Sequence, residues 1–129
     1  ILKLVKEVNH PNFKILFDTC HAQLCSTVAA RQIPPLEVLD GGVAELAGLL
    51  DGEIGWVHLI DSDNTLHDGI TSTHVPFGRG ILDFDKIMTA LTHAYEGNWW
   101  SIDLCFWSTA FEEIENSKKF VDKLNSKYG

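Results

Sequence analysis

The sequence predicts an α/β protein in which helices cover a sheet of parallel strands. Two observations favour this fold class: predicted strands alternate with predicted helices, and the strands are continuous apolar runs. Such runs are typical of strands buried on both faces, as when helices pack outside a parallel sheet. With 129 residues, 45% of them apolar, the chain is expected to form one unit over residues 1–129.

Three short apolar runs are the predicted strands, and each is rich in aromatic or β-branched residues. They comprise residues 13–17, 54–60 and 99–104. A polar loop is expected after the second strand, as far as about residue 82. Within that loop, residues 73–76 are predicted to form a further short strand, and residues 78–80 a sharp bend.

The predicted helices are segments whose apolar residues recur at three- and four-residue spacing. They comprise residues 1–8, 36–50, 84–95 and 111–128. Pro34 and Pro35 are expected to start the second helix, and Gly41 and Gly42 to weaken it without abolishing it. Residues 20–33 are predicted to be an irregular loop.

Composition narrows the function classes. A formal net charge of −8, with Lys and Arg scattered along the chain, argues against a nucleic-acid partner. No apolar stretch is long enough for a membrane span, and the start does not resemble a signal peptide. Three cysteines without a CxxC pair favour a reducing, cytoplasmic location. The missing initiator Met suggests a processed protein or a fragment.

Candidate metal ligands stand where the predicted strands end. Asp18 and His21 follow the first strand, and His58 and Asp103 lie near the ends of the other two. The carboxyl ends of parallel strands meet at one edge of a sheet, where α/β proteins place their chemistry. Carboxylates with an imidazole suit Mn²⁺, Mg²⁺ or Zn²⁺. The alternative is that Asp18 and Asp103 merely cap helices or turns.

Three further residues are candidates for substrate binding. His74 on the glycine-rich loop could contact a substrate or a second metal, or be solvated. Arg79, between two glycines, could bind a substrate phosphate or be an ordinary surface arginine. Asp61 could accept a hydrogen bond from a substrate hydroxyl or orient His58.

Taken in order, the segments FDTCH, VHLID, HVPFGRGILDFDKI and WWSIDL resemble the xylose isomerase-like TIM barrel superfamily. That superfamily includes sugar and sugar phosphate isomerases and epimerases and the endonuclease IV type of DNA-repair enzyme. The resemblance covers only the second half of the barrel, strands 5–8 with their outer helices. A full barrel takes roughly 250 residues. A missing N-terminal half, or pairing of two chains in a homo-oligomer, is therefore expected.

The resemblance implies roles for individual residues. Asp18, His58 and Asp103 would bind the metal, and Asp103 would also move protons. His21 would contact substrate, as in the epimerases, or a second zinc, as in the nucleases. The fourth ligand of the family, a glutamate on an earlier strand, has no counterpart in this chain.

The implied function is a divalent-metal-dependent isomerase or epimerase that removes a proton next to the carbonyl of a sugar substrate. Two alternatives stay open. An endonuclease IV-like zinc phosphodiesterase is disfavoured by Ser72, where the nuclease pattern has an aspartate. A non-catalytic half-barrel would keep an incomplete metal site. Asp103 is one methylene shorter than the glutamate usual in the isomerases, which would shift its carboxylate back from the substrate carbon and could modify or abolish the activity.

Overall fold

The computed structural model of the protein describes residues 1–97 and 99–129. Five helices in this part of the chain are α1 Leu2–Val8, α2 Thr19–Val28, α3 Gly42–Leu49, α4 Phe84–Ala94 and α5 Ala110–Tyr128. The strands are β1 Ile15–Asp18, β2 Ile54–Leu59, β3 Leu66–His67, β4 Thr71–Ser72 and β5 Trp100–Ile102. Strands β1, β2 and β5 form a parallel sheet in that order, and β3 and β4 form a small antiparallel hairpin.

One face of the parallel sheet is buried under the helices. Phe17, Val57 and Leu59 point into this core, together with Met88 and Leu91 of α4. Apolar burial of this kind is the main force holding the helices on the sheet. The predicted α/β class, with a parallel sheet and outer helices, is confirmed.

The opposite face of the sheet is open. Leu16 on β1 is 54% exposed and Trp56 on β2 is 38% exposed. In a closed (β/α)₈ barrel the equivalent face is filled by layers of side chains from all the strands. The described residues form no closed barrel, and the sheet has the form of a barrel fragment, as predicted.

Helix α2 corrects the prediction of an irregular loop for residues 20–28, whereas residues 29–33 are irregular as predicted. Asp18 is its N-cap, and the Asp18 carboxylate accepts a hydrogen bond from the backbone N–H of His21 at 2.9 Å. Thr19, Cys20 and Leu24 form its buried side. The prediction failed because polar residues interrupt the apolar periodicity of this helix. In addition, its N-cap, Asp18, is the last residue of β1, so no separate start signal is visible.

Helix α3 begins at Gly42 rather than at the Pro34–Pro35 pair. Leu36 and Val38, which fitted the helical spacing, are exposed and not helical. The Leu39 N–H instead bonds the Ser26 carbonyl oxygen of α2 at 2.8 Å, which holds this segment along its neighbour. Here a tertiary hydrogen bond overrides the periodicity.

The predicted short strand over residues 73–76 is also corrected. In the described chain this segment forms a single antiparallel bridge, between Val75 and Asp61, and no continuous strand. Strand β4 ends before it, at Ser72. Three of the four expected barrel strands therefore form the parallel sheet. The predicted bend is present, with Gly78 at a φ of 82°. No helix in the described chain has the length and apolarity needed to span a membrane.

Candidate metal centre

The register of the sheet brings the three predicted metal ligands together. Asp18 and His58 are direct partners across β1 and β2, and His58 pairs with Ser101 of β5. Side chains on a strand alternate between its two faces, so Asp103, two residues after Ser101, is expected on the same face as His58. All three side chains thus lie at the carboxyl edge of the sheet, on its open face.

His58 stands between the two carboxylates. Its Nδ1 lies 3.5 Å from Asp18 Oδ2 and 3.1 Å from Asp103 Oδ2. One ligand atom from each of the three residues lies within 4.8 Å of the other two. A tetrahedral ion with bonds of about 2.0 to 2.2 Å to nitrogen and oxygen places its ligand atoms about 3.3 to 3.6 Å apart. The two distances from His58 Nδ1 are close to this spacing, so the three side chains could share one ion.

An orphaned buried oxygen gives an independent test of the fit. Asp18 is 6% exposed, and its Oδ2 has no hydrogen-bond partner among the described residues. A buried carboxylate oxygen without a donor or a cation is costly. The predicted capping alternative is also present, because Asp18 Oδ1 caps α2 and Asp103 Oδ1 accepts from the backbone N–H of Cys105. Each carboxylate still directs its Oδ2 towards His58.

Thr19, which the sequence did not single out, joins the ends of β1 and β2. Its hydroxyl donates to the Ile60 carbonyl oxygen at 2.6 Å and accepts from the Ile60 N–H at 2.9 Å. Thr19 is completely buried. It directly follows Asp18, and Ile60 lies two residues beyond His58. This double hydrogen bond therefore holds the two ligand-bearing strand ends in register.

The environment of Asp103 favours its ionised form. Partial burial opposes ionisation, but the hydrogen bond from the Cys105 N–H and the nearby His74 and His58 imidazoles outweigh it. The pKa of Asp103 is consequently below its ordinary value. The carboxylate is therefore ionised at neutral pH and can bind a cation.

His74 and His21 lie beside this group. His74 is 1% exposed, and its Nε2 is 3.9 Å from Asp18 Oδ1 and has no hydrogen-bond partner in the described chain. Its ring meets the ring of His21 edge to face, with centroids 5.1 Å apart. His21 Nδ1 is hydrogen-bonded to the Ser72 hydroxyl at 2.5 Å. Asp18, His21 and His74 form another set of side chains that could hold a metal ion.

Cys105, like Thr19, lies near the predicted metal ligands but was not singled out from the sequence. Its Sγ lies 3.3 Å from His74 Nδ1. Desolvation and the Asp103 carboxylate raise the pKa of the Cys105 thiol to about 11. Without a cation the thiol is therefore protonated at neutral pH. Its position two residues after Asp103 was the available signal, but a cysteine without a CxxC partner carries little information.

Asp61 has a different role from the one predicted. Its carboxylate is buried and accepts hydrogen bonds from four backbone N–H groups, those of Ser62, Gly78, Gly80 and Leu82. With both oxygens satisfied in this way, Asp61 organises the loop that carries His74. We therefore assign it to the loop and not to substrate or His58.

Arg79 also has a protein partner. Its guanidinium forms a salt bridge with Glu113 of α5 and lies over the ring of Trp107, 5.6 Å from the centroid. These contacts tie the glycine-rich bend to the last helix. A substrate phosphate would have to compete with Glu113 for Arg79, so the geometry does not single this residue out as a phosphate ligand.

The parallel sheet fragment, with carboxylates and imidazoles converging at its carboxyl edge, defines the class as a (β/α)-barrel protein with a candidate metal centre. The chain belongs to the xylose isomerase-like TIM barrel family, whose model matches residues 1–124. This confirms the resemblance seen in the sequence. Comparison with curated proteins gives no match.

A solved structure shows the same fold. The chain is similar to the crystal structure of IolI protein with a binding zinc atom, with a TM-score of 0.66 and 23% sequence identity. The similarity covers 99% of this chain and 43% of that chain. The chain thus spans less than half the length of this relative.

Proposed function

We propose that the chain is the half of a (β/α) barrel that carries most of the metal site of a sugar or sugar phosphate isomerase or epimerase. The observation that carries the proposal is the position of His58 Nδ1, within 3.5 Å of Asp18 Oδ2 and 3.1 Å of Asp103 Oδ2. Family membership supports the reaction class, since the family includes metal-dependent isomerases and epimerases. Zinc in the IolI structure supports a divalent ion.

Asp18, His58 and Asp103 would hold the ion, which could be Mn²⁺, Mg²⁺ or Zn²⁺. When bound, such an ion acidifies the C–H next to a coordinated sugar carbonyl. Asp103, which is ionised at neutral pH, would be the base that accepts this proton. His21, with Nδ1 engaged by Ser72, keeps Nε2 for a substrate hydroxyl.

A complementary half-barrel is part of this proposal. The open sheet face exposes Leu16 and Trp56, and strands β1 and β5 are the outer strands of the sheet. An apolar groove beside β5 is lined by Ile102, Leu104, Ala110, Phe111 and Ile114. Exposed edges and apolar faces favour association. Further chain or a second copy would cover them, and further chain would also supply the glutamate ligand that this segment lacks.

Proton abstraction is tested by deuterium exchange. The assembly containing this chain is incubated with ketoses in D₂O, and NMR follows loss of the proton next to the carbonyl. We expect exchange that stops with EDTA and returns with Mn²⁺. Asp103→Asn should abolish it, whereas Asp51→Asn, at an exposed position remote from the cluster, should not. Exchange that ignores EDTA and the Asp103 substitution would refute the proposal.

The set formed by Asp18, His21 and His74 favours a second candidate, a zinc phosphodiesterase. The formal charge of −8 opposes it, because phosphodiester substrates are anionic. Ser72 in place of an aspartate also removes a ligand that the nuclease pattern requires. Metal analysis of the complete assembly distinguishes the two, since three zinc ions per site would favour the phosphodiesterase and a smaller number would favour the isomerase.

A further inference from the structure

Asp103 presents its two oxygens to different neighbours. Oδ2 faces His58 at 3.1 Å, whereas Oδ1 lies 3.6 Å from His74 Nδ1. Cys105 Sγ lies 3.3 Å from the same His74 nitrogen. His74, Asp103 and Cys105 each offer one ligand atom within 4.8 Å of the other two. A group containing sulfur therefore adjoins the group that contains Asp18 and His58.

Two of the separations in this group match those between the ligands of a zinc ion. Zinc bonds of about 2.0 Å to oxygen or nitrogen and about 2.3 Å to sulfur place tetrahedral ligands about 3.3 to 3.6 Å apart. The distances from His74 Nδ1 to Cys105 Sγ and to Asp103 Oδ1, 3.3 and 3.6 Å, lie in that range. Three protein ligands leave one position of a tetrahedral ion open to water or substrate.

The ligand types determine which ion would bind. Mg²⁺ and Mn²⁺ prefer oxygen ligands, whereas thiolate and imidazole favour Zn²⁺. Cys105 is exposed at the surface, so an ion can reach it, while His74 is buried. The site thus combines one buried ligand with one accessible ligand.

We propose that His74, Asp103 and Cys105 form a second metal site, selective for Zn²⁺, that shares the Asp103 carboxylate with the group of Asp18 and His58. It goes beyond the proposed function, which uses the latter group and does not involve Cys105. Cys105 is the ligand that distinguishes the two groups, since it is the sulfur donor.

Binding at this site is balanced by the loss of one thiol proton. The Cys105 S–H releases its proton to solvent, and the thiolate lone pair forms the bond to Zn²⁺. Without the ion, His74 Nδ1 donates a hydrogen bond to the Asp103 carbonyl oxygen at 3.1 Å. Binding of Zn²⁺ replaces this hydrogen bond: His74 then binds through the lone pair of Nδ1, and its ring proton moves to Nε2. That N–H faces Asp18 Oδ1 at 3.9 Å, and a carboxylate partner of this kind commonly orients a metal-bound imidazole.

Cobalt substitution tests the proposal without any activity measurement. Co²⁺ binds like Zn²⁺, and a thiolate ligand gives an intense near-ultraviolet charge-transfer absorption. We expect this absorption when the full chain is titrated with Co²⁺, and its displacement by Zn²⁺. Cys105→Ser and Cys105→Ala should each abolish it and weaken Zn²⁺ binding by more than about 10-fold.

Cys25→Ser is the matched control, because Cys25 is also exposed but its sulfur contacts Gln32 and not the cluster. The absorption should persist in this variant. It should also persist in His58→Ala, so failure of the proposed isomerase site is separable from failure of the thiolate site. The proposal is overturned if the folded wild-type chain saturated with Co²⁺ shows no such absorption, or if both Cys105 variants retain it.

Discussion

His58 Nδ1 lies 3.1 Å from Asp103 Oδ2, although the two residues come from different strands of the sheet. The contact is a consequence of parallel pairing, because Ser101 is the register partner of His58 and Asp103 lies two residues further on. Alternation of side chains along a strand then returns Asp103 to the face of His58.

The first prediction concerns the imidazole. His58→Ala removes the nitrogen that lies between Asp18 and Asp103, and we expect Mn²⁺ or Zn²⁺ affinity at this group to fall by at least about 10- to 100-fold. Isothermal titration calorimetry measures the effect. His93→Ala, on the exposed side of α4, is the control and should leave affinity unchanged. Equal affinities in the two variants would remove His58 from the proposed ligand set.

The second prediction concerns the hydroxyl that joins β1 to β2. Thr19→Val keeps the shape of the side chain but leaves the buried N–H and C=O of Ile60 without their partner. We expect the free energy of unfolding to fall by about 2 to 4 kcal/mol, since each orphaned group costs about 1 to 3 kcal/mol. Urea unfolding measures this. Thr19→Ser should recover most of the loss, and a Thr19→Val variant of wild-type stability would contradict the assignment.

The third prediction contrasts two glycines. A Cβ at Gly80 would overlap Asp61 Oδ1 and the Ser62 carbonyl oxygen, so Gly80→Ala must displace the loop that Asp61 organises. We expect a loss of about 1 to 3 kcal/mol in the free energy of unfolding. Gly48→Ala, on the exposed side of α3 with open space around it, should instead gain about 0.5 to 1 kcal/mol. Thermal unfolding of both variants should show shifts of opposite sign.

The fourth prediction concerns the open face of the sheet. Leu16→Glu introduces a charge on the face that a complementary half-barrel would cover, and burying that charge is costly. We expect light scattering to show association of the wild-type chain and its loss in this variant. Leu49→Glu, at an equally exposed position on α3, should associate normally. A folded wild-type chain that stays monomeric at high concentration would oppose self-pairing.

Local patterns were sufficient for much of the fold. The apolar runs predicted β1, β2 and β5, and the spacing of apolar residues predicted α1, α4 and α5. Helix α4 buries most of the side chains that define its pattern, whereas α1 buries Val5 and α5 buries Val121 and Leu124. The pattern failed where other forces decide. Helix α2 depends on its Asp18 cap, and residues 34–41 follow a hydrogen bond to α2 rather than their own periodicity.

For the candidate site, the sequence by itself determined which residues stand at strand ends, and hence that Asp18, His58 and Asp103 would meet at one edge of a parallel sheet. Only the tertiary structure decided the neighbours of that edge. Loop residues carry no periodic signal. The contact of Cys105 with His74, and the hydrogen bonds that Asp61 accepts from backbone N–H groups, are therefore seen only in the folded chain. Strand pairing has a fixed geometry that sequence patterns reveal, whereas loop contacts depend on hydrogen bonds formed only after the chain has folded.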